Sequence, residues 1–118
     1  MQLNWISFGS ADEVEQIKQQ SFHTPCLILK HSTSCNISAI AKFRLEDDWV
    51  FPESTLRAYY LDLLRFKSVS AYIADTFEVH HESPQILIIS MGECIFDASH
   101  LDITVDEIKE VMSSVVPA

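Results

Sequence analysis

The chain has 118 residues, 47% of them hydrophobic and 21% charged, which is enough apolar material for one packed core and too much for a disordered segment. A formal net charge of -9, with eight Lys and Arg scattered along the chain, argues against a grip on a phosphate backbone, so no nucleic-acid partner is expected. No apolar run reaches the roughly 20 residues of a membrane span, and Met1 to Phe8 has neither a basic region nor a long apolar stretch, so the expectation is a cytoplasmic protein with no membrane partner.

Leu3 to Ile6 reads as an edge strand. Ser10-Ala11-Asp12-Glu13 has the form of a capping box and predicts a helix over 11–20. Thr24-Pro25 punctuates the chain before Cys26-Leu27-Ile28-Leu29, a short apolar run that suits a central strand covered on both faces. After the polar stretch His31-Ser32-Thr33-Ser34, the three- and four-residue spacing of Ile37, Ile40, Ala41 and Arg44 predicts a second helix beginning at Cys35 or Asn36. Ala58 to Leu64 is rich in strand-favouring residues. Val69, Tyr72, Ile73 and Phe77 share one helical face, with Ser68 or Ser70 as the cap. Pro84 introduces the run Ile86 to Ile89, and Met91-Gly92-Glu93 separates it from Cys94-Ile95-Phe96 as in an antiparallel hairpin. Thr104 and Glu107 form a second capping box, ahead of a last helix ending near Ser113.

This order of elements is that of one α/β, thioredoxin-like domain over residues 1–118, with a central mixed sheet of four to five strands and helices on both faces. Right-handed crossovers put the strand after the second helix beside the first central strand.

Three cysteines, an odd number, with no CxxC pair and no zinc-type spacing, argue against a disulfide framework and a structural metal. Cys35 falls where a strand ends and a helix begins, where unpaired N–H groups and the helix dipole favour a thiolate, the form that attacks disulfides. His31 is placed to assist if its side chain faces the site. Cys26 opens the buried strand and reads as core. Cys94 begins a strand whose antiparallel course puts it at the far end of the sheet and carries Ser99 and His100 back to the reactive end. Ser38, three residues after Cys35, stands where a two-cysteine oxidoreductase has its resolving thiol. Its hydroxyl is either a donor to Cys35 or a plain helix serine.

Three separated segments, Leu29-Lys30-His31-Ser32-Thr33-Ser34-Cys35-Asn36-Ile37-Ser38, Val79-His80-His81-Glu82-Ser83-Pro84-Gln85 and Ser99-His100-Leu101-Asp102-Ile103, together resemble the YtxJ family of monothiol bacilliredoxins, also labelled general stress proteins. The resemblance implies a thioredoxin-like fold and removal of a low-molecular-weight thiol, bacillithiol or another, from mixed disulfides on cytosolic proteins. Cys35 matches the reactive cysteine. Ser34, Asn36, Ser38, Ser83, Pro84 and His100 are the expected substrate-binding residues. The family motif usually has proline directly after the cysteine, where this chain has Asn36, a position that tunes thiol reactivity. Pro84 matches the proline that is cis in this fold, which sets Ser83 backbone groups beside Cys35. No tightly bound cofactor and no metal are implied.

Other readings stand beside this one. His31, His80, His81 and Glu82 are metal-ligating residue types, and a monothiol domain can hold an iron-sulfur cluster between two subunits. A non-catalytic binding module would present Trp49, Phe51 and Tyr59 as an exposed partner surface, although such residues are more often core.

Overall fold

The computed structural model describes residues 2–115. Strands β1 (Trp5–Phe8), β2 (Cys26–His31), β3 (Arg57–Asp62), β4 (Gln85–Ser90) and β5 (Glu93–Ser99) alternate with helices α1 (Ala11–Gln20), α2 (Asn36–Asp48), α3 (Lys67–Phe77) and α4 (Val105–Ser113), and a short 3-10 turn, His100–Asp102, leads into α4. The five strands form one sheet in the order β1-β3-β2-β4-β5. β1, β3 and β2 are parallel, β4 runs antiparallel to β2, and β5 antiparallel to β4. The fold is α/β and thioredoxin-like, as the element order predicts.

β2 is buried along its whole length, which its apolar run anticipates. Alternate residues serve opposite faces. Leu27, Leu29, Ile86 and Ile88 pack with Ala41 and Leu45 of α2 and with Ile108 of α4. Cys26, Ile28, Leu87 and Ile89 pack with Val14 and Ile17 of α1 and with Val69, Ile73 and Phe77 of α3. This alternation also sends two polar residues of β2 to opposite sides, Lys30 toward α3 and His31 toward α2.

Both predicted N-caps form, and at the first the Glu13 side chain also reaches back. Ser10 Oγ accepts from the Glu13 N–H at 3.2 Å, and the Glu13 carboxylate reaches back to the Gly9 N–H at 3.1 Å. Thr104 Oγ1 accepts from the Glu107 N–H at 3.2 Å. In the β4–β5 turn, Met91 and Gly92 both have positive φ, as a two-residue hairpin turn requires. A β-carbon at Gly92 would lie 2.7 Å from the Phe22 ring, so glycine is required there on two grounds. A register shift between Ile88 and Ile89 leaves Ile95 as an extra residue in β5, and the strand runs on to Ser99, as the sequence reading expects.

Two expectations are corrected. α3 begins at Lys67 behind Phe66, with neither Ser68 nor Ser70 as its cap. α2 buries Ser38, Ala41 and Leu45, while Ile37 and Ile40 face outward. The sets 38, 41, 45 and 37, 40, 44 are equally helical in spacing, and the first wins because Ser38 finds buried hydrogen-bond partners. Trp49, Phe51 and Tyr59 are buried, at 3%, 8% and 7% exposure, which bears out the core reading over the alternative of a partner surface.

Candidate active site

Cys35 is the residue that precedes the first turn of α2, with extended backbone angles and a half-exposed side chain. The first N–H groups of α2 have no intrahelical partner and are directed toward this position, as is the positive end of the helix dipole. The turn that delivers it is tight: the Cys35 N–H donates to Ser32 O at 3.2 Å, and the hydroxyls of Ser32 and Ser34 lie 3.2 Å apart.

Below this turn lies a buried polar pair. Ser38 is fully buried, its Oγ accepting from the Ser32 N–H at 3.0 Å and lying 2.6 Å from His31 Nδ1. His31 is 7% exposed and packs against Tyr60 with ring centroids 5.5 Å apart and the rings tilted by 41°. Desolvation, helped by the Lys42 ammonium, holds the His31 pKa below its ordinary value, so the ring is neutral at pH 7. The hydroxyl at position 38 is thus tied to the backbone of the Cys35 turn and to His31. Asn36 opens α2 and is exposed.

The other two thiols are elsewhere. Cys26 is paired in register with Ile89, and Ile89 in turn with Cys94, so both lie at the end of the sheet from which β2 departs, six residues of strand away from the Cys35 turn. Burial pushes the Cys26 thiol up to about 12 and the Cys94 thiol up to about 11.

β4 enters at the reactive end. Its pairing with β2 finishes at Lys30 opposite Gln85, so Ser83 and Pro84 lie alongside the chain as it leaves β2 for the Cys35 turn. The Ser83–Pro84 peptide bond is cis. The His100 N–H donates to Pro84 O at 3.0 Å, and α2 packs against the 3-10 turn that His100 opens. His100 has a positive φ of 55°, and its Nε2 lies 3.8 Å from Glu82. Cys35, Ser38, Ser83, Pro84 and His100 therefore come from three separate segments to one end of the sheet.

The histidines do not converge. His31 is committed to the α2 side and His81 to the α3 side, and among the described residues no group of three or more His, Cys, Asp or Glu side chains could hold a metal ion. Sequence reading missed two features of this end. Ile37, Ile40 and Phe43 form an exposed apolar strip on α2, and Lys30 is a fully buried lysine. The second has no local signal, since Lys30 stands between Leu29 and His31 near the end of β2 and is buried by elements distant in sequence.

A family model for the monothiol bacilliredoxin BrxC matches residues 6–108. The chain belongs to that family. Among solved structures, a chain proposed to be an oxidoreductase with a thioredoxin fold is 32% identical, with a TM-score of 0.78 over 90% of this chain and 91% of that one. Thioredoxin from Malassezia sympodialis superposes with a TM-score of 0.73 at 12% identity, covering 96% of this chain and 90% of that one. Thioredoxin from Trypanosoma brucei brucei gives 0.74 at 10% identity, covering 97% and 96%. The two thioredoxins share the fold. With the family match, the bacilliredoxin-like chain is a thiol oxidoreductase, and among the described residues no helix is long and apolar enough to cross a membrane.

Proposed function

We propose that this chain releases a low-molecular-weight thiol, bacillithiol, from mixed disulfides on cytoplasmic proteins, with Cys35 as the nucleophile. The observation that carries the reading is the isolation of Cys35: it alone of the three cysteines is set at a helix start, and both other thiols lie at the far end of the sheet. The Cys35 thiolate attacks the sulfur of the small thiol, forming a new disulfide with it, and the protein cysteine leaves as a thiolate that takes a proton from water. With Ser38 in place of a second thiol, a further molecule of the small thiol must attack the Cys35-bound disulfide. It leaves as the symmetric disulfide, and Cys35 is again a thiolate. Ser83 and Pro84, with Ser34, Asn36 and His100 around them, supply the surface on which the protein substrate lies.

The test is one protein carried in bacillithiolated and glutathionylated forms, offered in parallel with the matching free thiols, with the intact mass of the chain followed through the reaction. Faster release from the bacillithiolated substrate, with one bacillithiol adduct on Cys35 and none in Cys35→Ser, is the expected result. No release from either substrate overturns the proposal, and equal release from both overturns the assignment to bacillithiol.

A further inference from the structure

Beneath the loop that carries Ser83 lie two buried polar side chains that the chemistry at Cys35 does not use. Lys30 of β2 is fully buried, and Gln85 of β4 is 1% exposed. They are direct partners in the β2–β4 register, so they lie side by side on the α3 face of the sheet. Lys30 Nζ donates to Ser70 O at 3.2 Å and to His81 Nδ1 at 3.3 Å, and the Ser70 hydroxyl is 3.3 Å from that same nitrogen. Gln85 Nε2 donates to His80 O at 2.9 Å. Two successive residues of the loop are thereby held from below by two neighbouring strands of the sheet, shortly ahead of Ser83 and Pro84.

The arrangement is costly. Among the described residues no carboxylate lies within salt-bridge reach of Lys30, and Gln85 Oε1 is buried with no hydrogen-bond partner. A buried cation without a counter-ion and a buried acceptor without a donor both destabilise a fold, and an apolar pair would fill this space without that cost. Polar groups kept at such a cost call for a role.

We propose that Lys30 and Gln85 are positioning residues for the Ser83–Pro84 segment, and that the Lys30 half of their hold is released when His81 takes up a proton. A lysine ammonium has donors only, so His81 must present its Nδ1 lone pair, which fixes the neutral ring with its proton on Nε2. Protonation removes that lone pair and sets two cations 3.3 Å apart. Burial and the Lys30 charge lower the His81 pKa, as this contact requires. His81 is an exposed residue, so solvent protons reach it. The charged groups around it are Lys30 from β2, Lys67 and Asp75 from α3, which line a cavity with His81, and His80 and Glu82 from the loop itself, Glu82 being shared with His100. Leu63 and Leu64, after β3, bring no charge to that cavity.

The functional part of the inference rests on the proposed exchange at Cys35, so its test has two arms. In the first, the nitrogen-15-labelled chain is titrated from pH 8 to pH 5 by NMR, following the His81 ring, the Ser83 amide and the Gln85 side-chain amide. Both amides should shift with the midpoint of His81. They should be flat over that midpoint in His81→Asn, whose amide oxygen supplies a non-titrating acceptor. Lys30→Met should raise the midpoint. A Ser83 amide that stays still while His81 titrates overturns the proposal.

In the second arm, the rate of release from a protein mixed disulfide is divided by the rate of Cys35 alkylation with iodoacetamide at each pH, which cancels the thiolate fraction. The ratio should fall several-fold through the His81 midpoint in the wild type and stay level in His81→Asn. A level ratio in both, or the same fall in both, overturns the proposal. Coupled NMR shifts without release at any pH support the positioning and overturn the exchange reading instead.

Discussion

Replacing Lys30 by Met removes the buried charge while keeping an unbranched side chain of similar length. Burial brings the Lys30 pKa from 10.5 down to about 8. A gap of this size corresponds to about 3 kcal/mol between folded and unfolded states. The unfolded chain takes up the proton more readily than the folded one. The cost to the fold is therefore fully present below pH 8 and fades as the pH rises toward 10.5. Lys30→Met escapes it. Its stability relative to the wild type should be greatest near pH 7 and should shrink by about 2–3 kcal/mol by pH 10. The hydrogen bonds lost to Ser70 O and His81 Nδ1 set a constant offset of about 1 kcal/mol each in the other direction. Urea unfolding of both proteins under reducing conditions across this range checks it. With m of about 1.5 kcal/mol/M, the difference between the two midpoints should narrow by about 1.3–2 M. Tyr59, Tyr60 and Cys26 titrate in both proteins and cancel. A difference in midpoint that stays constant with pH would refute the reasoning.

Brief labelling with limiting alkylator at pH 7.5 should modify Cys35 alone, because thiols held near 11 and 12 are ionised in well under about one molecule in a thousand. Peptide mass spectrometry reads the outcome, and labelling of Cys94 at the rate of Cys35 would contradict the geometry. Ser38→Ala should cost about 1–3 kcal/mol in urea unfolding, since it strands the buried Ser32 N–H and the His31 ring nitrogen, and a loss below about 0.5 kcal/mol would show that water replaces the hydroxyl.

The elements that could be read from the sequence are those whose causes are local. Ser10 with Glu13 and Thr104 with Glu107 announce two helices, because a side chain three residues away satisfies an orphan N–H in either case. Cys35 at the strand-to-helix turn is local in the same sense. The inward face of α2 was not legible, because the choice between Ile37 with Ile40 and Ser38 with Ala41 is settled by His31, seven residues back on another element. Nor was the left-handed backbone at His100, which no glycine or asparagine signals. Lys30 in isolation is an ordinary strand-end lysine. Its burial appears only once α3 and the loop ahead of β4 lie across it, and those contacts span 40 and 51 residues of sequence.

The separation of the cysteines at opposite ends of the sheet has a consequence for how this protein stores reducing power. A domain with two neighbouring thiols closes a ring within itself, so its balance between oxidised and reduced forms is a ratio with no units of concentration. Here the thiols of Cys26 and Cys94 are out of reach of Cys35, since a disulfide needs α-carbons within about 7 Å. Every oxidised form of Cys35 with another thiol is shared with a second molecule, and the balance carries the concentration of that molecule. A tenfold change in the free small thiol moves the effective potential by about 30 mV with the protein itself unchanged. The set point of this site is thus written partly in the thiol pool around it.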